Sequence, residues 1–205
     1  MYTYEYPHPA VTADAVVFGF DGKSLNLLLI NRGIKPYKGS WALPGGFINI
    51  KETAEDGALR ELKEETGVED IYLEQFHSFT AVDRDPRERV MTIAFLAFIR
   101  QDDYSVVAGD DAAKAQWYPV DKLPELAFDH EEIIKMALDK LRWKIIYEPL
   151  VFHLLNETFT MTQLQTIYEA VIGKELDSRN FNKKMLQLGS VVPTEERVQG
   201  VGRPG

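Results

Sequence analysis

Three glutamates crowd one short segment of this chain, and they constrain it more than any other feature. Glu61, Glu64 and Glu65 fall in a run that begins near Thr53, a residue type that caps helices, and stops at Gly67. Asp56, three residues after Thr53, can complete a capping box. The spacing predicts a helix over 53–66. On it Glu61 and Glu65 are four apart and stack on one face, with Glu64 beside them. Like charges at that separation repel, so the arrangement calls for a cation. Hard oxygen ligands suit Mg²⁺ or Mn²⁺. Ala58, Leu59 and Leu62 supply the apolar side that docks the helix.

The residues around this segment extend the pattern. Gly45 and Gly46 allow a close backbone approach, and a carbonyl there can complete a coordination shell. Arg60 can hold Glu64 through an i,i+4 pair. Taken alone, Glu-x-x-Glu-Glu also suits a solvated acidic helix face. The glycine pair, Glu52, Arg60 and Gly67 at their spacings favour the metal site.

The flanking chain reads as strands. Residues 11–20 and 25–31 alternate or run apolar, with Asp21, Gly22 and Lys23 as the hairpin turn between them. Residues 71–82 and 89–100 read as long strands separated by the charged stretch 83–88, and 114–119 as another. Helical spacing returns over 130–145 at Ile133, Ile134, Ala137, Leu138 and Leu141. After Tyr147 the pattern becomes short helices over 149–155, 162–172 and 178–188. The fold class is therefore α+β, divided into domains at 1–146 and 147–205.

Charge supports that division. The net charge is −9. Residues 147–205 hold six Lys/Arg against seven Asp/Glu, so −8 lies in the first part. An acidic chain is a poor general nucleic-acid binder, and an acidic first part with a near-neutral tail points to two domains with different jobs. Cysteine is absent, excluding disulfides and thiolate chemistry. No apolar run is long enough to span a bilayer, and Met1 to Pro7 lacks the order of a signal peptide. A cytoplasmic protein is expected.

Gly46, Glu52, Arg60, Glu61, Leu62, Glu64, Glu65, Gly67 and Val68 match every defined position of Gly-x5-Glu-x7-Arg-Glu-U-x-Glu-Glu-x-Gly-U, with U aliphatic. The segment thus resembles the Nudix box, and residues 40–47 look like the branch that includes ADP-ribose pyrophosphatases. The resemblance implies an αβα sandwich with a mixed sheet that hydrolyses a nucleoside diphosphate derivative such as ADP-ribose. It implies metal ligation by Glu61 and Glu65, with Glu64 assisting and the Gly46 carbonyl contributing. Relatives often place the general base on a loop. Glu88 and Glu64 are the candidates here, and Arg60 supports the catalytic helix. In the same loop Arg84, Arg87 and Arg89 suit phosphate, although a solvated loop accounts for each equally well. Trp41 and Phe47 can stack on a base or pack in the core.

The tail admits two readings, a winged helix or a helical appendage for packing. As a winged helix, 178–186 would be the recognition helix. Phe181, Met185 and Leu188 would be buried, and Arg179, Asn180, Asn182, Lys183 and Lys184 would face DNA. Arg197 and Arg203 would sit in a wing that ends, at Gly205, without a returning strand. Residues 159–165, 168–170 and 179–181 are similar to the NrtR group of Nudix-related regulators. That resemblance implies operator DNA, a homodimer, and a Nudix domain that senses ADP-ribose or a sugar with little or no turnover. Regulators of this group often have eroded boxes. The intact box here favours catalysis.

Overall fold

The computed structural model describes residues 3–107, 112–147 and 149–194. Seven strands form one mixed sheet. They are β1 (Ala10–Phe20), β2 (Leu25–Arg32), β3 (Trp41–Ala42), β4 (Gly45–Phe47), β5 (Glu74–Phe79), β6 (Val90–Arg100) and β7 (Ala112–Pro119). The main order is β3-β2-β1-β6-β5, with β4 paired to β1 and β7 to β2. Among the described strand pairs β1 and β6 alone run parallel, in register from Ala10↔Val90 to Phe20↔Arg100. From Ala13 onward β1 is buried throughout, because helices cover both faces of the sheet. Ala13, Ala15 and Val17 pack against Ala58 and Leu62 of α1 (Ala54–Thr66). Val16, Phe18 and Phe20 pack against Ile133, Ala137 and Leu141 of α2 (His130–Tyr147). The result is the expected αβα sandwich.

The tail does not hang free. After a 3-10 turn at Pro149–Leu154 come α3 (Met161–Ile172) and α4 (Ser178–Gln187). Leu164, Ile167 and Val171 of α3, with Phe181 and Met185 of α4, belong to the same hydrophobic cluster as Phe18 and Leu141. Two hydrogen bonds reinforce the seam. Arg142 Nε donates to the Val171 carbonyl at 2.7 Å, and the Tyr168 hydroxyl donates to the Ile145 carbonyl at 3.2 Å.

Several elements differ from the sequence reading. The strand expected over 71–82 is only Glu74–Phe79, with a left-handed turn at Asp70 ahead of it and a bulge inside it between Gln75 and His77. The first tail helix is a 3-10 turn. Leu188, expected on the buried side of α4, is 61% exposed, since the helix ends one residue before it. Arg197 and Arg203 lie outside the described residues.

Candidate functional site: a carboxylate-lined cavity beside the α1 helix

α1 forms where local signals coincide. The Thr53 hydroxyl accepts the Asp56 amide, the Asp56 carboxylate accepts the Thr53 amide, and Gly67 closes the helix at a left-handed φ of 75°. β4 runs alongside, and its glycines are required by close contact. A Cβ at Gly46 would lie 2.4 Å from the Glu61 carboxyl carbon. A Cβ at Gly45, whose φ is 155°, would lie 2.3 Å from the Ala13 carbonyl oxygen. Glycine at both places lets the carboxylates of α1 lie directly on strand backbone.

Arg60 organises the acidic face. It donates to Glu52 through Nε at 3.1 Å and Nη2 at 2.8 Å, to Glu61 at 2.8 Å, to Glu64 at 3.0 Å and to the Phe47 carbonyl at 3.1 Å. The fork on Glu52, helped by the Asn49 amide, holds that carboxyl down at about 2. Glu61 and Glu65 behave oppositely. Burial raises Glu61 above its ordinary value despite Arg60. Burial pushes Glu65 up to about 8, with further upward contributions from Glu61 and Asp14 against the downward effect of the Gly45 amide. Glu64 stands apart: its side chain is 59% exposed and turned to Arg60. Among the described residues no three acid or histidine side chains already converge on a metal position.

Glu61, Glu65 and Gly46 line a cavity of about 340 Å³, with Asp14, Arg32, Arg84, Asp85, Arg87, Phe128 and His130 among the other walls. A larger cleft of about 470 Å³ lies between β6 and the 3-10 turn. Two of its acids are already paired, Glu74 with Lys144 at 2.9 Å and Asp103 with Arg100 at 2.6 Å, and the third, Asp70, is exposed. Chemistry therefore favours the smaller cavity, where two half-buried carboxylates, Glu61 and Glu65, lack a full counter-charge.

The loop arginines part ways. Arg84 is buried and spends its guanidinium on Asp129, at 2.9 and 2.7 Å, with Asp14 at 3.8 Å. Arg87 lines the cavity, forks onto Asp85 and stands 5.1 Å from the Phe47 ring. Arg89 is absent from the cavity wall and donates to the carbonyls of Thr80, Ala81 and Val90. Glu88 is exposed and also off the wall. Trp41 packs against the core, edge-on to Tyr118 at 4.8 Å.

Sequence reasoning missed Asp14, Arg32, Asp85, Phe128 and His130. Asp14 carried a signal, as an acid inside an otherwise apolar strand. Arg32 had none. Its Nε donates to the Pro36 carbonyl at 2.9 Å and its guanidinium lies 4.8 Å from the Phe128 ring. Arg60, Arg84 and Arg87 each hold a carboxylate. Among the described residues Arg32 is the cavity cation that makes no ion pair.

On α4, Arg179, Asn180, Lys183 and Lys184 are exposed while Phe181 and Met185 are buried. Asn182 is half-buried, and its Oδ1 is buried without a hydrogen-bond partner. Asp177 caps the helix by accepting the Asn180 amide at 2.8 Å.

Comparison with known proteins agrees with this geometry. Residues 8–137 match the NUDIX domain family, and residues 151–205 match the NrtR DNA-binding winged helix domain. The chain is 34% identical over 204 residues to the ADPR responsive transcriptional repressor NtrR of Acinetobacter baylyi, covering 98% of this chain and 81% of that protein. It is 42% identical over 139 residues to the ADP-ribose pyrophosphatase of Methanocaldococcus jannaschii, covering 68% and 77%. Two structures of Shewanella oneidensis NrtR are similar. One, complexed with a 27mer DNA, has a TM-score of 0.74 at 30% identity over 95% of this chain and 90% of that one. The other, its NUDIX domain complexed with ADP ribose, has a TM-score of 0.61 at 32% identity over 66% and 90%. With its intact carboxylate helix and its C-terminal helices packed on α2, the chain belongs to the Nudix family, in the branch that carries an NrtR winged helix domain.

Proposed function

We propose that the cavity binds and hydrolyses a nucleoside diphosphate sugar of the ADP-ribose type with Mg²⁺ or Mn²⁺, and that α4 presents the domain to operator DNA. The observation that carries the hydrolase reading is the Glu61–Glu65 pair, half-buried against glycine backbone and pushed toward protonation. A divalent cation relieves that repulsion, so these residues fit one. Glu61, Glu65 and the Gly46 carbonyl would hold it, with Glu64 swinging in from Arg60. Bound there, it supplies charge neutralisation at the diphosphate and acidifies water. The protein's own part is to position and to exclude. Arg32 and Arg87 face the phosphates, and Arg60 fixes the acid face. Arg84 acts by holding the loop. Arg89 does the same through backbone carbonyls. Glu64 stands on the same helix turn as the ligands and Glu88 on the exposed loop; either can take the water proton.

ADP-ribose with Mg²⁺ should yield AMP, measured by mass spectrometry beside Mn²⁺ and a panel of related dinucleotides. Glu65→Gln should abolish it. Failure across the whole panel would sink the enzyme reading. Glu64→Gln and Glu88→Gln, compared by pH–rate profile, separate the two bases.

A second reading, a regulator in which the cavity senses its ligand with little turnover, is favoured by the continuous core joining α2 to α3 and α4. The domain boundary at 146/147 in this reading rests on the change in element type and charge, and the DNA-facing surface on Arg179, Asn180, Asn182, Lys183 and Lys184. A homodimer in the cytoplasm would match two-fold operators. Binding to the gene's own upstream DNA should weaken with Arg179→Ala and fall steeply with salt. Salt-insensitive binding would count against it.

A further inference from the structure

Phe128, on the cavity wall, holds a backbone conformation that its side chain disfavours. Its φ is 54°, a left-handed value rare for a bulky residue. The residues on either side of it are pinned. The Ala127 amide donates to the Trp41 carbonyl at 2.8 Å. Asp129 takes the fork of Arg84, and the buried His130 ring accepts the Leu43 amide on Nδ1 at 2.9 Å. Strained backbone persists where its surroundings over-determine it, and it gathers at ligand sites.

Two cavity arginines meet on this ring. The Arg32 guanidinium carbon stands 4.8 Å from its centroid and that of Arg87 5.8 Å, both inside the ~6 Å at which an aromatic face attracts a cation. Tyr37, itself left-handed at φ 59°, meets the same ring edge-to-face at 4.7 Å. Two guanidiniums on one ring repel each other. Burial and then the charge of Arg87 lower Arg32 from its ordinary value, against Glu65, Asp85 and Asp14. Arg87 has Asp85 to hold it. Arg32 has one carbonyl, that of Pro36 on Nε, and its two Nη groups make no hydrogen bond among the described residues. The aromatic face is its other anchor. Phe128 also packs on Ile30, Ala42 and Ala127. Any apolar side chain of that size would serve that contact, whereas a face for a guanidinium requires a ring.

We propose that Phe128 is a positioning residue whose ring holds the Arg32 guanidinium in place beside Arg87, so that an unpaired cation stands ready for the diphosphate of the ligand. This rests on the reading that the cavity takes a nucleoside diphosphate sugar. Phe128 acts through Arg32 and need not touch the ligand.

Phe128→Leu keeps the apolar bulk and the same disfavoured φ, so its effect reports the ring. In ¹⁵N-arginine spectra of the full chain without ligand, the Arg32 side-chain signal, assigned by its loss in Arg32→Lys, should be displaced by the ring in wild type and Phe128→Tyr and not in Phe128→Leu. Calorimetry with ADP-ribose, without added metal, should show about a fivefold loss of affinity in Phe128→Leu and recovery in Phe128→Tyr. In an Arg32→Ala background Phe128→Leu should cost nothing more. Losses that add in the double variant, unchanged binding in a folded Phe128→Leu, or an Arg32 signal indifferent to the ring overturns the proposal. Wild-type protein that shows the displaced signal yet binds no ADP-ribose removes instead the diphosphate reading, and this inference with it.

Discussion

The Gly45 amide donates to Glu65 Oε2 at 2.9 Å, tying the last turn of α1 to β4 across twenty residues of chain. It is the main contact that favours the ionised form of a carboxyl otherwise pushed toward neutrality by burial and by Glu61 and Asp14. Cation binding and proton release are therefore linked at Glu65.

Metal affinity should rise with pH. The folded-state value of Glu65 is raised to about 8 from 4.5. Without metal, its protonated form stabilises the fold below the unfolded value, and that contribution is lost as pH climbs through about 8. A bound cation needs the carboxylate, so binding near pH 7 should release close to one proton. Calorimetry of Mg²⁺ binding in buffers of different ionisation enthalpy measures this. A flat affinity between pH 6 and 8 would contradict it.

Gly46→Ala should keep the fold and lose the site. Its Cβ would fall 2.4 Å from the Glu61 carboxyl carbon, and that flexible side chain moves more easily than the strand. Hydrolysis should fall at least tenfold while thermal unfolding changes by a few degrees. Full activity in Gly46→Ala would show that Glu61 need not lie against β4.

Arg60→Lys should uncouple the acid face. A lysine cannot reproduce the fork on Glu52 together with contacts to Glu61, Glu64 and the Phe47 carbonyl. Glu52, held at about 2, contributes stability above its unfolded value that is lost as pH falls through about 2. In Arg60→Lys that loss should move to higher pH. Acid unfolding curves followed by circular dichroism check the shift, and turnover should drop in parallel.

The seam between the two parts should make unfolding cooperative. Leu164 of α3 is fully buried in the cluster that holds Phe18 and Leu141. Leu164→Ala should cost about 2–5 kcal/mol and lower a single transition seen equally from both parts. Separate transitions, with only the tail destabilised, would show that the cluster does not couple them.

The α1 site was legible because its information is local. A cap, a glycine stop, a glycine pair and carboxylates at helical spacing all lie within residues 45–68. The charged loop was readable as a loop but not as a set of roles. Arg84 was expected to meet phosphate, yet the structure pairs it with Asp129, forty-five residues away. No spacing rule links those positions.

By itself, then, the sequence determined the carboxylate helix and the change to a helical tail, since each follows from periodicity and capping over a few turns, while the sandwich around them was expected from the resemblance of the box. Tertiary structure alone decided what faces those carboxylates. Asp14, Arg32 and His130 come from two strands and the start of α2, and only the sheet order and the docking of α2 bring them to one cavity. The same packing welded the tail to α2. Long-range burial sets which polar groups lose water, and it gives Glu65 and His130 properties that their neighbours in sequence do not encode.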